Sequence, residues 1–422
     1  MASMDDHFLT GPSPSAARRT VGRRPVVLAG LFGVAALAGC DAKSPASDSQ
    51  PTDDPATTSP AAAPVESSPA PDPGATASSS PGPLEGWTME QKVGQLLMVG
   101  AETSGAQKAA LDAVSAHHIG NVFIAKPTRS GADAVRDVVA SLTGLVGPET
   151  THSTPMLVAT DQEGGQVQVL GGAGFSDIPS ASEQAATSRD DLAAEAQTWG
   201  KELADVGITM NLAPVADLVD ISDPSSNGPI GKWEREYGHD AATALDRATA
   251  FAQGMEAAGL IATYKHFPGL GRVTANTDTA DGVTDDVTAR SDDPAVSVFA
   301  DAIARGAKAV MVSSAIYSLI DSSAPALFSP VIVTDMLRGD LGFTGVVITD
   351  DVSAAAQVQD RTPAERAVQA VRAGCDIVLA SADATIVADM AQALVAEAQG
   401  DPDFAKRVDD SVARVLALKN GS

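Results

Sequence analysis

Eight short, continuously apolar segments recur along the chain after residue 90, and segments with helical periodicity separate them. Continuous rather than alternating apolar runs are typical of strands that are buried on both faces of a sheet. The pattern therefore predicts eight parallel strands joined by helical crossovers. The predicted strands are residues 95–100, 121–126, 156–161, 209–214, 261–267, 309–314, 345–351 and 376–381.

The connections support this interpretation. Residues 189–207 and 362–374 are Ala-rich segments with a helical pattern, and Thr88 is an expected N-cap before the first strand. Eight such units in one stretch of chain predict an α/β fold, a single (β/α)₈ TIM-like barrel. An open doubly wound sheet is the alternative. A phosphate-binding glycine loop would favour that sheet, but "GGAGFSD" lacks the required G-x-G-x-x-G spacing.

The N-terminal residues have a different character. Two arginine pairs precede an apolar run that ends in "LAGC", residues 37–40, which is typical of an export signal. The ending resembles a bacterial lipobox. That resemblance implies cleavage before Cys40, a lipid on its thiol, and anchoring to the outer face of the bacterial cell membrane. Residues 1–40 are thus predicted to be a lipoprotein signal peptide, and an ordinary signal peptide with a chance cysteine is the alternative.

Residues 41–86 are predicted to be a disordered tether. They consist mainly of Pro, Ser, Ala, Thr and Asp, and ten of the 26 prolines lie here, so too few large apolar side chains are available to form a core. Residues 87–422 are left as the catalytic domain. The only other cysteine, Cys375, lies in an apolar run and is expected to be a small buried side chain.

Charge excludes one class of partner. The net charge is −26, which argues against nucleic-acid binding. The membrane is an expected partner only through the lipid anchor, and the sequence does not indicate an oligomeric state.

Polar residues close five of the predicted strands. The carboxyl ends of the strands of a (β/α)₈ barrel meet at one face, where its active sites lie. A buried charge costs several kcal/mol unless it is paired or used. Five such strand ends therefore predict a functional site at that face. The residues are Asp161, Asp217, Lys265 with His266, Ser313 with Ser314, and Asp350 with Asp351.

These side chains suit sugar chemistry. Asp350 could attack an anomeric carbon and form a covalent glycosyl ester, although a capping role is the alternative. Asp161 could accept hydrogen bonds from sugar hydroxyls, with Gly164 and Gly165 allowing a tight turn and the close approach of a ligand. Arg235, Lys265 and His266 could donate hydrogen bonds to a sugar. No metal-binding cluster is present, so we expect neither zinc chemistry nor any other metal.

The motifs resemble glycoside hydrolase family 3, in particular its single-domain β-N-acetylglucosaminidase branch. The resemblance rests on "DQEGG", "APVADL", "KHFPG" and "TDD", which occur in the family's order between about Trp87 and Leu418. It implies a carbohydrate substrate, no cofactor, and retaining hydrolysis through a glycosyl-aspartate, with Asp350 as the nucleophile. By motif position it also implies sugar contacts from Asp161, Arg235, Lys265, His266 and Asp217.

Several positions depart from this resemblance. After K-H-F-P-G the branch usually has a His as general acid/base and an Asp that orients it. In "LGRVTANTDT" these positions are Asp278 and Asn276. In addition, Gln166 replaces an arginine and Ser314 replaces a histidine.

Three explanations follow for the missing histidine. Asp278 could be the acid/base if its pKa is raised toward neutrality. Alternatively, Glu163 or Asp285 could donate the proton, or the barrel could bind sugar without cutting it. We expect a retaining exo-β-glycosidase that removes terminal β-N-acetylglucosamine from peptidoglycan fragments. A sugar-binding lipoprotein, or an exo-β-glycosidase for another sugar, is the alternative.

Overall fold

A computed structural model describes residues 84–421, and eight parallel strands form its centre. Each strand lies within a continuous apolar run and is buried over almost its whole length, as the sequence pattern predicts. The strands are β1 (Leu97–Glu102), β2 (Asn121–Ala125), β3 (Leu157–Thr160), β4 (Met210–Asn211), β5 (Ile261–Phe267), β6 (Ala309–Val312), β7 (Val346–Thr349) and β8 (Val378–Ala380).

The strands form a ring. Their order is β7-β6-β5-β4-β3-β2-β1-β8, and a bridge between Ile348 and Ile377 joins β7 to the segment that enters β8. At this closure Thr349 Oγ1 also accepts a hydrogen bond from the Leu379 amide at 3.0 Å. The predicted (β/α)₈ TIM-like barrel is confirmed, and the open doubly wound sheet is not observed.

Helices occupy the connections between successive strands. A short helix, Met89–Gly94, precedes β1, and Thr88 caps it by accepting a hydrogen bond from the Gln91 amide. The longer helices after each strand are Lys108–His117, Ala132–Thr143, Arg189–Ala204, Ala241–Ala257, Pro294–Ala304, the π-helix Val331–Asp340, Pro363–Ala373, Val387–Gly400 and Pro402–Asn420. One-turn helices lie at Pro148–Thr151 and Ala181–Gln184.

Two hydrophobic layers hold the barrel together. The first fills its interior, and alternate residues of the strands supply it, because successive side chains of a strand point to opposite faces. Its larger members are Met98, Phe123, Leu157, Met210, Ile261, Met311, Ile348 and Leu379. The second layer lies between the strands and the helices and includes Cys375, which is fully buried as expected. Burial raises the pKa of the Cys375 thiol to about 12.

Additional short strands lie at the face formed by the carboxyl ends of the barrel strands. A hairpin of Gln162–Gly164 and Val167–Gln168 follows β3. Thr284–Asp285, Ile316–Tyr317 and Asp321–Pro325 form a three-stranded sheet that joins the loops after β5 and β6. These loops determine the shape of the barrel mouth.

Some predictions concern other parts of the chain. The signal peptide, Cys40 and nearly all of the tether lie outside the described residues. Between residues 84 and 421, no helix is long and apolar enough to cross a membrane.

Candidate active site

A buried ion-pair cluster forms one wall of the barrel mouth. Glu163 receives a bidentate contact from Arg235, with Nε to Oε2 at 2.9 Å and Nη2 to Oε1 at 2.8 Å. Lys265 Nζ lies 2.6 Å from Glu163 Oε1 and donates to Asp161 Oδ1 at 2.7 Å. The loops after β3 and β4 and the end of β5 therefore meet at this cluster.

Charge pairing compensates for the burial of these groups. Desolvation alone would raise the pKa of Glu163, but Arg235 and Lys265 hold it at about 2. Burial lowers the pKa of Lys265, yet the charges of Asp161 and Glu163 outweigh that effect and raise it above the usual value. Glu163, Arg235 and Lys265 therefore all stay charged at neutral pH. A permanently ionised Glu163 cannot donate a proton, which disfavours it as the general acid.

Local sequence explains how Glu163 reaches this position. Gly164 and Gly165 turn the hairpin after β3 with positive φ angles of 112° and 57°. A Cβ on Gly164 would lie 2.1 Å from the Pro179 carbonyl oxygen, so only glycine fits there. The tight turn expected at this glycine pair is therefore present, and the chain itself makes the close approach at Gly164.

A second buried pair organises the end of β5. Asp217 Oδ1 accepts hydrogen bonds from the amides of His266, at 3.0 Å, and Leu270, at 2.7 Å. Asp217 Oδ2 lies 2.7 Å from His266 Nδ1. Because a carboxylate only accepts hydrogen bonds, His266 donates through Nδ1 and keeps Nε2 for another partner.

This arrangement differs from the predicted sugar contact of Asp217. The residue is fully buried and protein groups bind both of its oxygens, so it orients His266 and has no oxygen that faces a ligand. Asp161, in contrast, has a side chain that is 27% exposed. It can therefore still accept hydrogen bonds from a sugar.

Asp350 directly follows β7 at the barrel mouth. Its backbone amide donates to the Val312 carbonyl at 3.0 Å, and its Oδ1 accepts from the Asp351 amide at 2.9 Å. Burial raises the pKa of Asp350, while the nearby charges of His266 and Lys265 oppose that shift. Lys265, His266 and Asp350 all lie at the carboxyl ends of parallel strands, so they share one side of the barrel.

Asp351 has a structural role in the loop after β7. Its Oδ1 accepts from Ser353 Oγ at 2.7 Å and from the Ser381 amide at 2.6 Å, and its Oδ2 accepts from the Ala354 amide at 2.8 Å. It therefore ties the loop after β7 to the end of β8.

Asp278 lies in the loop after β5, and the charge of Asp350 affects the pKa of its carboxyl. The residue is exposed at the mouth, and desolvation by the nearby protein is the largest cause of its shifted pKa. Together with the charge of Asp350, desolvation raises the pKa of Asp278 to about 6, against the opposing charge of Arg235. A carboxyl whose pKa lies near neutrality is suited to acid/base chemistry.

Asp285, Asn276 and Ser314, which the sequence also singles out, lie near the site in different environments. Asp285 is buried, and the amides of Val287 and Thr288 and the Thr288 hydroxyl bind its carboxylate. Asn276 accepts a hydrogen bond from the Asp278 amide through Oδ1 at 2.9 Å and so shapes the backbone at Asp278. Ser314 is buried, and its hydroxyl has no hydrogen-bond partner among the described residues.

The site thus contains a carboxyl pair beside a set of fixed donors and acceptors for a polar ligand, at the mouth of a (β/α)₈ barrel. A family model described as the glycosyl hydrolase family 3 N-terminal domain matches residues 88–418. The chain belongs to glycoside hydrolase family 3. The protein is therefore a glycoside hydrolase, as its motifs predict.

Similar proteins have consistent names. The structure is similar to the crystal structure of a beta-N-acetylhexosaminidase from Beutenbergia cavernae, with a TM-score of 0.78 and 56% identity over 79% of this chain and 99% of that one. A family 3 beta-N-acetylglucosaminidase from Paenibacillus has a TM-score of 0.71 and 32% identity over 79% and 62% of the two chains. Beta-hexosaminidase LpqI of Mycobacterium tuberculosis is 30% identical over 78% of this chain and 82% of its own length.

The role of Glu163 in this family 3 hydrolase can be tested by its removal. Glu163→Ala leaves Arg235 without its bidentate partner and Lys265 with Asp161 alone. We expect the free energy of unfolding to fall by about 3–5 kcal/mol, because buried charges lose their shared carboxylate. Urea unfolding followed by circular dichroism measures the change.

Glu102→Ala is the matched control, because the ion pair of Glu102 with Lys126 is more exposed. It should change the unfolding free energy by at most about 1 kcal/mol. Similar small losses for both variants would show that Glu163 does not hold the cluster together.

Proposed function

We propose that this glycoside hydrolase removes terminal β-linked N-acetylglucosamine from peptidoglycan fragments through a covalent glycosyl-Asp350 intermediate. The observation that carries the mechanism is the pair of carboxyls at the barrel mouth, Asp350 and Asp278, of which Asp278 has a pKa raised to about 6. The names of the similar proteins support the choice of sugar.

In the first step the Asp350 carboxylate attacks the anomeric carbon as the glycosidic bond breaks. Asp278 gives its proton to the departing oxygen, so the leaving group departs as a neutral alcohol. The charges of His266 and Lys265 favour the ionised form of Asp350. The charge of Asp350 in turn favours the protonated form of Asp278, which is the form that a general acid needs.

In the second step a water molecule attacks the anomeric carbon of the glycosyl ester. Asp278, now ionised, takes a proton from that water, and the ester bond to Asp350 breaks. The sugar leaves with its original anomeric configuration, and both carboxyls return to their starting protonation states.

The ion-pair cluster provides the sugar contacts in this proposal. Asp161 accepts hydrogen bonds from hydroxyl groups, while Lys265 and His266 Nε2 supply polar contacts from the end of β5. Arg235 is committed to Glu163 and to the Pro229 carbonyl, which Nη1 reaches at 2.8 Å. Arg235 therefore chiefly holds the loops of the site in place and adds positive electrostatic potential.

A panel of aryl β-glycosides tests the function. We expect release of the aryl group from the N-acetylglucosaminide in preference to the glucoside and galactoside. Asp350→Ala should reduce release by at least about 10⁴-fold because the nucleophile is lost. Asp112→Ala, at an exposed carboxylate on the helix Lys108–His117, is the control and should keep full activity.

Other outcomes of the panel would contradict the proposal in different ways. Release from a different sugar alone would overturn the sugar assignment and keep the hydrolase. Binding of sugars without any release would favour a sugar-binding role instead.

The acid/base role of Asp278 has its own kinetic signature. Asp278→Ala should slow substrates with poor leaving groups by about 10²–10⁴-fold and slow dinitrophenyl glycosides far less in their first step, because a good leaving group needs little protonation. Equal losses for both substrate types would exclude Asp278 as the acid.

The pH dependence follows from the same role. Asp278 must be protonated to act as an acid, so kcat/KM should fall as pH rises through about 6, the raised pKa of its carboxyl. Asp278→Ala should lack this limb of the pH profile.

We also propose that residues 1–40 direct export and that Cys40 carries a lipid that anchors the enzyme to the outer face of the cell membrane. The lipobox-like "LAGC" ending supports this. Cys40→Ser should move the enzyme from the membrane fraction into the soluble fraction in a bacterium that processes lipoproteins. Cys375→Ser should leave it in the membrane fraction, and an unchanged distribution for Cys40→Ser would contradict the anchor.

A further inference from the structure

The loop that carries Asp278 is hydrogen-bonded to the segment that follows Asp350. The Ala356 amide donates to the Asp278 carbonyl at 3.1 Å, and the Gln357 amide donates to the Thr277 carbonyl at 3.1 Å. The backbone of the proposed acid is therefore bound directly to the chain that continues from the proposed nucleophile.

The side chain of Gln357 binds the same loop at a second point. Its Oε1 accepts from the Val283 amide at 2.8 Å, and its Nε2 donates to the Val283 carbonyl at 3.2 Å. Gln357 is 5% exposed. If its side-chain amide were removed, the Val283 amide and carbonyl would therefore lose their partners with little access to water as a replacement. Residues 356 and 357 thus hold the loop on both sides of the turn at Asp278.

This clamp is itself attached to the barrel. The Val352 amide donates to the Leu379 carbonyl at 2.9 Å, and Arg366 Nη1 donates to the Val352 carbonyl at 2.6 Å. Gln357 belongs to the short 3₁₀ helix Ala356–Val358 that follows. These contacts attach the segment between Asp350 and Gln357 to β8 and to the helix Pro363–Ala373.

We propose that Gln357 is a positioning residue that holds the Asp278 loop closed over Asp350. It contacts no reacting atom and acts through the backbone at Val283 and Thr277. The inference rests on the proposed function, because it needs Asp278 to be the acid. Without the Gln357 side chain the loop swings outward, proton delivery fails, and Asp350 can still attack substrates that need no proton.

Gln357→Met tests this role, because methionine keeps the length of the side chain and removes both hydrogen bonds to Val283. We expect kcat for a poor leaving group to fall by about 10- to 100-fold, since a misplacement of about 1 Å costs that much. The first step with a dinitrophenyl glycoside should change by less than about 3-fold. KM should stay near the wild-type value for both substrates.

The pH profile gives a readout that a loss of stability would not move. An opened loop moves the Asp278 carboxyl away from the surrounding protein and from Asp350, so its pKa should return toward the ordinary value. The limb expected near pH 6 in the wild type, from the raised pKa of Asp278, should therefore shift to lower pH in Gln357→Met.

Gln91→Met is the matched control. Gln91 is also buried, and its Nε2 donates to the Pro148 carbonyl at 3.0 Å, but it precedes β1 at the opposite end of the barrel. It should leave both the leaving-group ratio and the pH limb unchanged. Equal losses for both leaving groups in Gln357→Met, or an unshifted pH limb, would overturn the proposal.

Two further measurements separate the outcomes. If the loss of activity in Asp278→Ala does not depend on the leaving group, the proposed acid is wrong. If it does depend on the leaving group in Asp278→Ala but not in Gln357→Met, only the positioning role of Gln357 is wrong. Hydrogen exchange of the wild-type protein covers the case in which Gln357→Met does not fold. The amides of Val283, Ala356 and Gln357 should exchange slowly together, and rapid exchange at Val283 would overturn the clamp.

Discussion

The architecture of the active site depends on the shared burial of Glu163, Arg235 and Lys265. Each charge would be costly alone, but together the two cations hold the carboxylate ionised and the carboxylate holds the cations in place. The interaction joins loops that are far apart in sequence. It also fixes positive charge beside the barrel mouth, and this charge opposes the protonation of Asp350. The cluster therefore contributes to the electrostatic environment of Asp350, whose pKa burial raises.

The second feature of the site is Asp278, the proposed acid/base, at a position where the family resemblance implies a histidine. A histidine titrates near neutrality without help, whereas an aspartic acid must be shifted by its surroundings. In this protein partial burial and the neighbouring Asp350 provide the shift. Both effects require a close approach of the loop to the end of β7. The hydrogen bonds of Ala356 and Gln357 hold this loop near the segment that follows β7. They therefore support the surroundings that raise the pKa of Asp278.

The sequence predicts the barrel well and the site only in part. Continuous apolar runs identify all eight strands because each is buried on both faces. The rim strands such as Asp321–Pro325 are short and polar and carry no such pattern. Motif positions bring out Asp161, Lys265, His266 and Asp350, which the structure places together. The ion-pair role of Glu163 was missed, although it lies within "DQEGG" and the adjacent lysine and arginine were already candidates. Gln357 has no motif, and only the folded chain shows its contact with Val283, which lies 74 residues away.

The central claim is that Asp350 forms a bond to the sugar, and trapping that bond tests it most directly. An activated 5-fluoro N-acetylglucosaminide forms the glycosyl ester faster than water can release it, so the intermediate accumulates. Mass spectrometry of the digested protein should show one added glycosyl group on the peptide that contains Asp350. An adduct on a different carboxylate, or continued turnover with no adduct at all, would contradict the account.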